Sequence, residues 1–225
     1  MVAAVGLLLA GCAAGPETLP EDPYESVNRG IYAFNETLDE ALVEPVARGY
    51  RAVTPDPLER AVTNFFSNLS DVSNAANNLL QGKVLRAVES LARVAINSTI
   101  GIAGTADIAG AGIPQWREDF GQTLGVWGFG NGPYVVLPLL GASTVRDTGG
   151  RIFDAVLLDP VGKLSDTGAR LAAGGTRLVD ARANLLGTRR ILEQAALDEY
   201  AFVRDAYLQR RRSLVHDGSP PPETE

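Results

Sequence analysis

The chain is poor in the residues from which reactive centres are most often built. Of its 225 residues, one is Cys (Cys12) and one is His (His216). A single Cys excludes an internal disulfide framework and a cysteine-built zinc site, and a single His excludes a histidine-rich metal cluster. Charged residues reach only 21% and aromatics 7%. Lys and Arg number 20 against 27 Asp and Glu, a formal charge of −7. The one tight basic cluster is Arg210, Arg211 and Arg212, so the basic stripe that nucleic acid requires is missing. The apolar run Val2 to Ala10 stops at nine residues, short of the roughly 20 that a bilayer-crossing helix needs. What is abundant is small and greasy: 24 glycines and 45% hydrophobic residues, enough for one domain with a sizeable core.

Motifs for catalysis are incomplete. Gly128-Phe-Gly-Asn-Gly132 has two Gly-x-Gly steps, but Pro133 stands where a dinucleotide fingerprint needs its last Gly. Gly141-Ala-Ser143 lacks the second Gly of a nucleophile elbow. His216 lies at the edge of the tail, away from any Ser that it could activate. Glu118-Asp119 reads as the acidic start of a helix. The chain is read as a non-enzyme, with no catalytic residue, no metal and no cofactor.

The N-terminal apolar run reads as the hydrophobic part of an export signal over residues 1–11. Leu9-Ala10-Gly11-Cys12 resembles the lipobox of bacterial lipoproteins, which implies cleavage before Cys12 and acyl chains on it. Several chains, each worth about 0.8 kcal/mol per buried CH₂, anchor a protein stably. Ala13 rather than Asp after the Cys resembles the enterobacterial pattern for outer-membrane sorting. Residues 12–23 hold Pro16, Pro20 and Pro23 without periodicity and read as an acylated tether. Its eleven residues after Cys12 reach roughly 36 Å when stretched, so the folded part stays close to its own membrane.

Residues 24–213 read as one helical domain and 214–225 as a disordered tail. Val27, Ile31, Phe34, Leu38, Ala41 and Leu42 predict a helix that Pro45 breaks or kinks. Leu58, Val62, Phe65, Leu69, Val72, Ala76 and Leu79 alternate steps of four and three, the strongest helix signal, with Asp56 as N-cap and Gly82 as C-cap. Val84, Val88, Leu91 and Ala95 predict the inward face of a shorter helix. Residues 100–142 hold ten glycines and no clean strand alternation. Pro133 to Gly141 is apolar but interrupted by proline, fitting a membrane interface or a segment packed across a core better than a central strand. Thr144 and Asp147 resemble a capping box for a helix to Leu158. The last helical region begins near Thr176 and restarts after Asp198.

Two constellations stand out. On the strong helix, Asn64, Asn68, Asp71, Asn74 and Asn78 form a second stripe whose one charge is Asp71, flanked by Ser67, Ser70, Ser73 and Asn77. An ordinary solvated face carries Lys and Glu. This one suits a wet channel lining that touches zwitterionic headgroups; the alternatives are an ordinary solvent face of unusual composition and buried amide bonds to neighbouring helices. Gly121, Gly125, Gly128 and Gly132 fall at steps of four, three and four. If helical, they form a packing face with no side chains; otherwise they are a glycine loop.

Further residues carry a family likeness. Asp22-Pro-Tyr-Glu-Ser-Val-Asn28-Arg, Phe34-Asn35, Asn64-Phe-Phe-Ser-Asn68-Leu, Leu79-Leu-Gln-Gly82, Asn97-Ser-Thr-Ile-Gly101, Asp119-Phe-Gly-Gln-Thr-Leu-Gly-Val-Trp-Gly128, Gly132-Pro-Tyr-Val-Val-Leu-Pro138 and Tyr200-Ala-Phe-Val-Arg-Asp-Ala-Tyr-Leu-Gln209 resemble the MlaA (VacJ) outer-membrane lipoproteins of Gram-negative bacteria, in order over about residues 22–210. The resemblance implies an all-α ring of amphipathic helices without significant β-sheet, embedded on the periplasmic, inner-leaflet side of the outer membrane around an amphipathic channel. It further implies removal of mislocalised phospholipids from the outer leaflet, hand-over to a soluble periplasmic carrier of the MlaC type, association with trimeric porins, and preserved lipid asymmetry. The competing expectation is a structural envelope lipoprotein that binds porins without transporting lipid.

Overall fold

The computed structural model describes residues 19–187 and 196–222; Cys12 and the signal segment lie outside them. The chain enters through α1 (Glu25–Leu38), a π turn (Asp39–Val43) and α2 (Glu44–Val53). Pro45 therefore does not break the helix. The ring of a helical proline clashes with the carbonyl four residues back, here that of Ala41. The wider π turn contains that residue and absorbs the misfit. After it come α3 (Asp56–Leu80) and α4 (Val84–Thr99). Pro55 rather than Asp56 occupies the α3 N-cap, and Gly82 closes the far end with φ 77°. An irregular stretch leads to α5 (Phe120–Val126), then to strands β1 (Tyr134–Leu137) and β2 (Gly141–Thr144). Helix α6 (Val145–Phe153) runs into a second π turn (Asp154–Leu158), followed by α7 (Thr167–Asn184) and α8 (Glu199–Val215).

The architecture is all-α with one small hairpin. β1 and β2 pair antiparallel with Tyr134 opposite Thr144 and Leu137 opposite Gly141. Pro133 and Pro138 flank β1 instead of interrupting it, so no ladder bond is lost. Tyr134 and Val136 pack with Tyr200 of α8 and with Ile31 and Tyr32 of α1. Asp22 is fully buried in this cluster and accepts hydrogen bonds from Asn28 Nδ2 at 2.8 Å and from the Tyr200 hydroxyl. Order thus begins before Tyr24, inside the expected tether. Helix α7 starts at Thr167, capped by Asp166, well ahead of the expected Thr176; Gly168, Gly174 and Gly175 obscure its pattern. Asp198 caps α8 as expected, but that helix continues past Ser213 to Val215.

Burial is inverted relative to a water-soluble domain. Among the described residues, ten hydrophobic side chains are buried against nineteen polar or charged ones, while 32 large hydrophobics are exposed. Val84, Val88 and Leu91, expected to face inward, are all exposed, and Leu85 is 72% exposed. The inward face of α4 is Ala87, Ser90, Arg93 and Asn97. Periodicity identifies an apolar face but not the medium that covers it. Monomeric soluble proteins rarely show so much apolar surface. No described helix is long and apolar enough to cross a membrane.

Candidate functional site: a charged cavity within an apolar shell

Helix α3 carries two polar stripes with different partners. Along the first, Asn64 Nδ2 donates to the Thr105 carbonyl at 3.1 Å and Asn68 Nδ2 to Ser98 Oγ at 3.0 Å. Asp71, fully buried, pairs with Arg93 at 2.9 Å and accepts from Asn74 Nδ2 at 2.9 Å. Asn78 Nδ2 donates to the Asn74 carbonyl at 2.9 Å. Arg93 extends the network to the Ile113 carbonyl at 2.8 Å and to Asp107 at 3.0 Å. A buried ion pair is tolerated when its remaining donors are used in this way. The stripe fastens α3 to α4 and to the irregular segment after it.

The second stripe is the serine flank, and it borders a partly open cavity of about 750 Å³, within the range of roughly 300–1,000 Å³ typical of ligand pockets. Thr63, Ser67, Ser70, Ser73 and Asn74 of α3 form one wall, and Arg177, Asp180 and Asn184 of α7 form another. Arg151, Asp154, Ala155 and Asp159, with Gln115, Arg117, Glu118, Asp119 and Leu140 of the hairpin turn, border the rest. Of the five residues expected to line a channel, Asn74 reaches this wall, whereas Asn64, Asn68, Asp71 and Asn78 are not part of it.

The cavity's charges are held in two ways. Arg177 pairs with Asp159 at 3.2 Å and donates to Ser70 Oγ at 3.0 Å. Lys83 meets Glu118 at 3.2 Å, and Arg211 binds Asp119 through both of its terminal nitrogens. Asp154 instead accepts from neutral groups, the Phe120 backbone N–H at 2.9 Å and Asn77 Nδ2 at 3.0 Å. Asp180 accepts from Thr63 Oγ1 at 2.9 Å, from the Tyr50 hydroxyl and from Asn184. Arg151 donates to the Leu140 and Ala142 carbonyls at 3.1 and 2.9 Å, and Arg117 to Gln115 Oε1 at 3.0 Å. Burial pushes the Asp154 carboxyl above the ordinary carboxylate value despite those two donors.

The glycine face is real over half of its expected length. Gly121 and Gly125 lie in α5, where an added Cβ would come within 2.6 Å of Asp147 Oδ1 and 2.7 Å of Val215. Gly128 and Gly132 lie beyond the helix, with φ of 93° and 65°, because they turn the chain toward the hairpin. Gly150, which the spacing does not single out, meets this face backbone to backbone: its Cβ would sit 2.3 Å from the Gly121 nitrogen. Asp119 caps α5 by accepting from the Gln122 N–H at 2.9 Å. Among the described residues no group of three or more His, Cys, Asp or Glu could hold a metal ion. Arg93 and Asp180 have no local sign in the sequence beyond Asp71 as the lone charge of its stripe, and Arg211 shows there only as one of three adjacent arginines.

The described residues thus enclose a polar interior within an apolar surface. The family model described as MlaA lipoprotein matches residues 20–214. The chain belongs to the MlaA lipoprotein family. It is 36% identical over 225 residues to the intermembrane phospholipid transport system lipoprotein MlaA of Escherichia coli K12, covering 96% of this chain and 88% of that protein. It is 36% identical over 195 residues to an uncharacterised protein of Rickettsia bellii, covering 86% of this chain and 76% of the relative. A solved structure described under "Structural basis for maintenance of bacterial outer membrane lipid asymmetry" superposes with a TM-score of 0.74 at 33% identity, over 86% of this chain and 98% of that one. This MlaA-family chain therefore shares its fold with a protein solved in the context of outer-membrane lipid asymmetry.

Proposed function

We propose that this chain is an outer-membrane lipoprotein, acylated at Cys12 and embedded from the periplasmic side. It takes mislocalised phospholipid from the outer leaflet through the cavity beside α3 and passes it to a soluble periplasmic carrier, in association with trimeric porins. The role needs no bond-making step and no cofactor. The inverted burial carries this reading: among the described residues, 32 large hydrophobics are exposed around an interior of buried Asn, Asp and Arg. Moving a phospholipid through a leaflet requires a polar path for the headgroup, since bare charge in hydrocarbon is costly, and an apolar boundary for the acyl chains. The name and setting of the relatives support the same reading.

Placing Trp at Ser70 tests it. Ser70 lines the cavity from α3, so the indole obstructs the passage without touching the Asp71–Arg93 fastener. In a deletion strain complemented with Ser70→Trp, amine-reactive labelling of outer-leaflet phosphatidylethanolamine should rise to the level of the uncomplemented strain while the protein accumulates normally. Preserved asymmetry would instead favour a structural lipoprotein that braces porins.

A further inference from the structure

We infer that this cavity selects glycerophospholipids whose headgroup ends in an ammonium over those ending in an uncharged alcohol, using Arg117 and Arg151 for the phosphodiester and Asp154 and Asp180 for the ammonium. The inference deepens the proposed lipid route and rests on it. Its basis is the charge balance of the wall. Eight charged side chains line the cavity, three Arg and five carboxylates. Glu118, Asp119, Asp159 and Arg177 are engaged in ion pairs. The remaining four, two cations and two carboxylates, have no ion-pair partner among the described residues; their hydrogen bonds go to carbonyls, amides and hydroxyls.

Arg151 and Asp154 are three positions apart on one continuous helical stretch, a spacing that places side chains on the same face with Cβ atoms ~5–6 Å apart. They do not pair with each other: the guanidinium turns to the hairpin carbonyls and the carboxylate to the start of α5. A plus and a minus are thus held side by side and separately braced. A phosphate and a terminal ammonium a few ångströms apart match that arrangement. Asp180, 4% exposed, stands on the α7 wall of the same cavity with neutral donors around it. A headgroup ending in glycerol meets the two guanidiniums with its phosphate but supplies no cation to either carboxylate. The zwitterion satisfies both signs.

The test uses the full chain reconstituted into vesicles of equimolar phosphatidylethanolamine and phosphatidylglycerol, recovered in mild detergent, with the co-purified lipid quantified by mass spectrometry. Bound phosphatidylethanolamine should exceed phosphatidylglycerol about fivefold, the worth of one favourable half-exposed ion pair. Asp154→Asn with Asp180→Asn should bring that ratio close to one, and Arg151→Gln should lower the uptake of both lipids alike. Equal amounts of the two lipids on the wild-type chain would overturn the selectivity and leave the route standing. A wild-type chain carrying no lipid would overturn both. Fivefold enrichment persisting in the folded double Asn variant would overturn the assignment to these carboxylates. Should that variant not fold, the wild-type ratio still decides the selectivity and the single substitutions decide the assignment.

Discussion

At Gly150, α6 meets α5 backbone to backbone, because an added Cβ would stand 2.3 Å from the Gly121 nitrogen and 2.6 Å from its Cα. Neither atom can rotate away as a flexible side chain would. Gly149, one residue earlier in the same helix, has nothing within 4 Å of the equivalent position. Gly150→Ala should therefore destabilise by about 3 kcal/mol or more, the upper part of the overpacking range, whereas Gly149→Ala should stabilise by about 0.4–1 kcal/mol through the unfolded chain. Thermal melts of the two variants in the same detergent separate the cases, and equal losses would contradict the close approach. The sequence shows two adjacent glycines of equal standing, and only the packing of α5 tells them apart. Caps are different: Thr144 accepts from the Asp147 N–H and Asp198 from the Ala201 N–H, bonds spanning three residues, so both were legible before any tertiary structure.

At the scale of elements, Arg211 of α8 joins the start of α5 to α6. It binds Asp119, the α5 cap, and reaches Asp147 with Nε at 2.9 Å. Burial works to raise both carboxyls, but Arg211 together with Gln122 at Asp119, and together with Tyr207 and Arg146 at Asp147, outweighs it and holds each below the ordinary carboxylate value. A depressed folded value contributes stability above the unfolded pKa of about 3.9, and that contribution is lost as the pH falls through the folded value. The melting temperature should be insensitive to these groups from pH 8 to pH 5 and fall below about pH 4. Arg211→Gln strips Asp119 of its ion-pair partner and leaves Asp147 with Arg146 alone, should cost about 3 kcal/mol at neutral pH, the lower end for breaking a buried pair, and should flatten the loss of stability in acid. A variant with the wild-type acid profile would show that the three helices are held by other contacts. The sequence shows Arg211 only as one member of a basic cluster; its partners lie 92 and 64 positions away, beyond any local pattern. The same limit explains α3. Its amphipathic period was plain, but two adjoining polar stripes, one of Asn and one of Ser, look alike until α4 covers the first and the cavity opens beside the second.

For the whole molecule, the exposed apolar faces and the acylation proposed at Cys12 would give two independent membrane attachments. A single acyl chain binds a bilayer only marginally, with a constant near 10⁴ M⁻¹. Fully burying one Leu or Val side chain contributes about 1.5–3 kcal/mol, and α4 alone exposes Val84, Leu85, Val88 and Leu91. A few such residues in hydrocarbon rival an acyl chain, so the shell should retain the domain without the anchor. A chain beginning at Leu19, which keeps the buried Asp22 cluster and omits Cys12, should float with phospholipid vesicles in a density gradient and precipitate when detergent is removed without lipid. Leu85→Glu with Leu91→Glu in that chain should weaken its flotation, because each substitution exchanges an exposed Leu of α4 for a carboxylate. The acylated chain with the same pair should still float, held by its acyl chains. Recovery of the Leu19 chain as a soluble monomer would mean that the exposed hydrophobics face water, and the inverted burial would then no longer argue for a lipid setting.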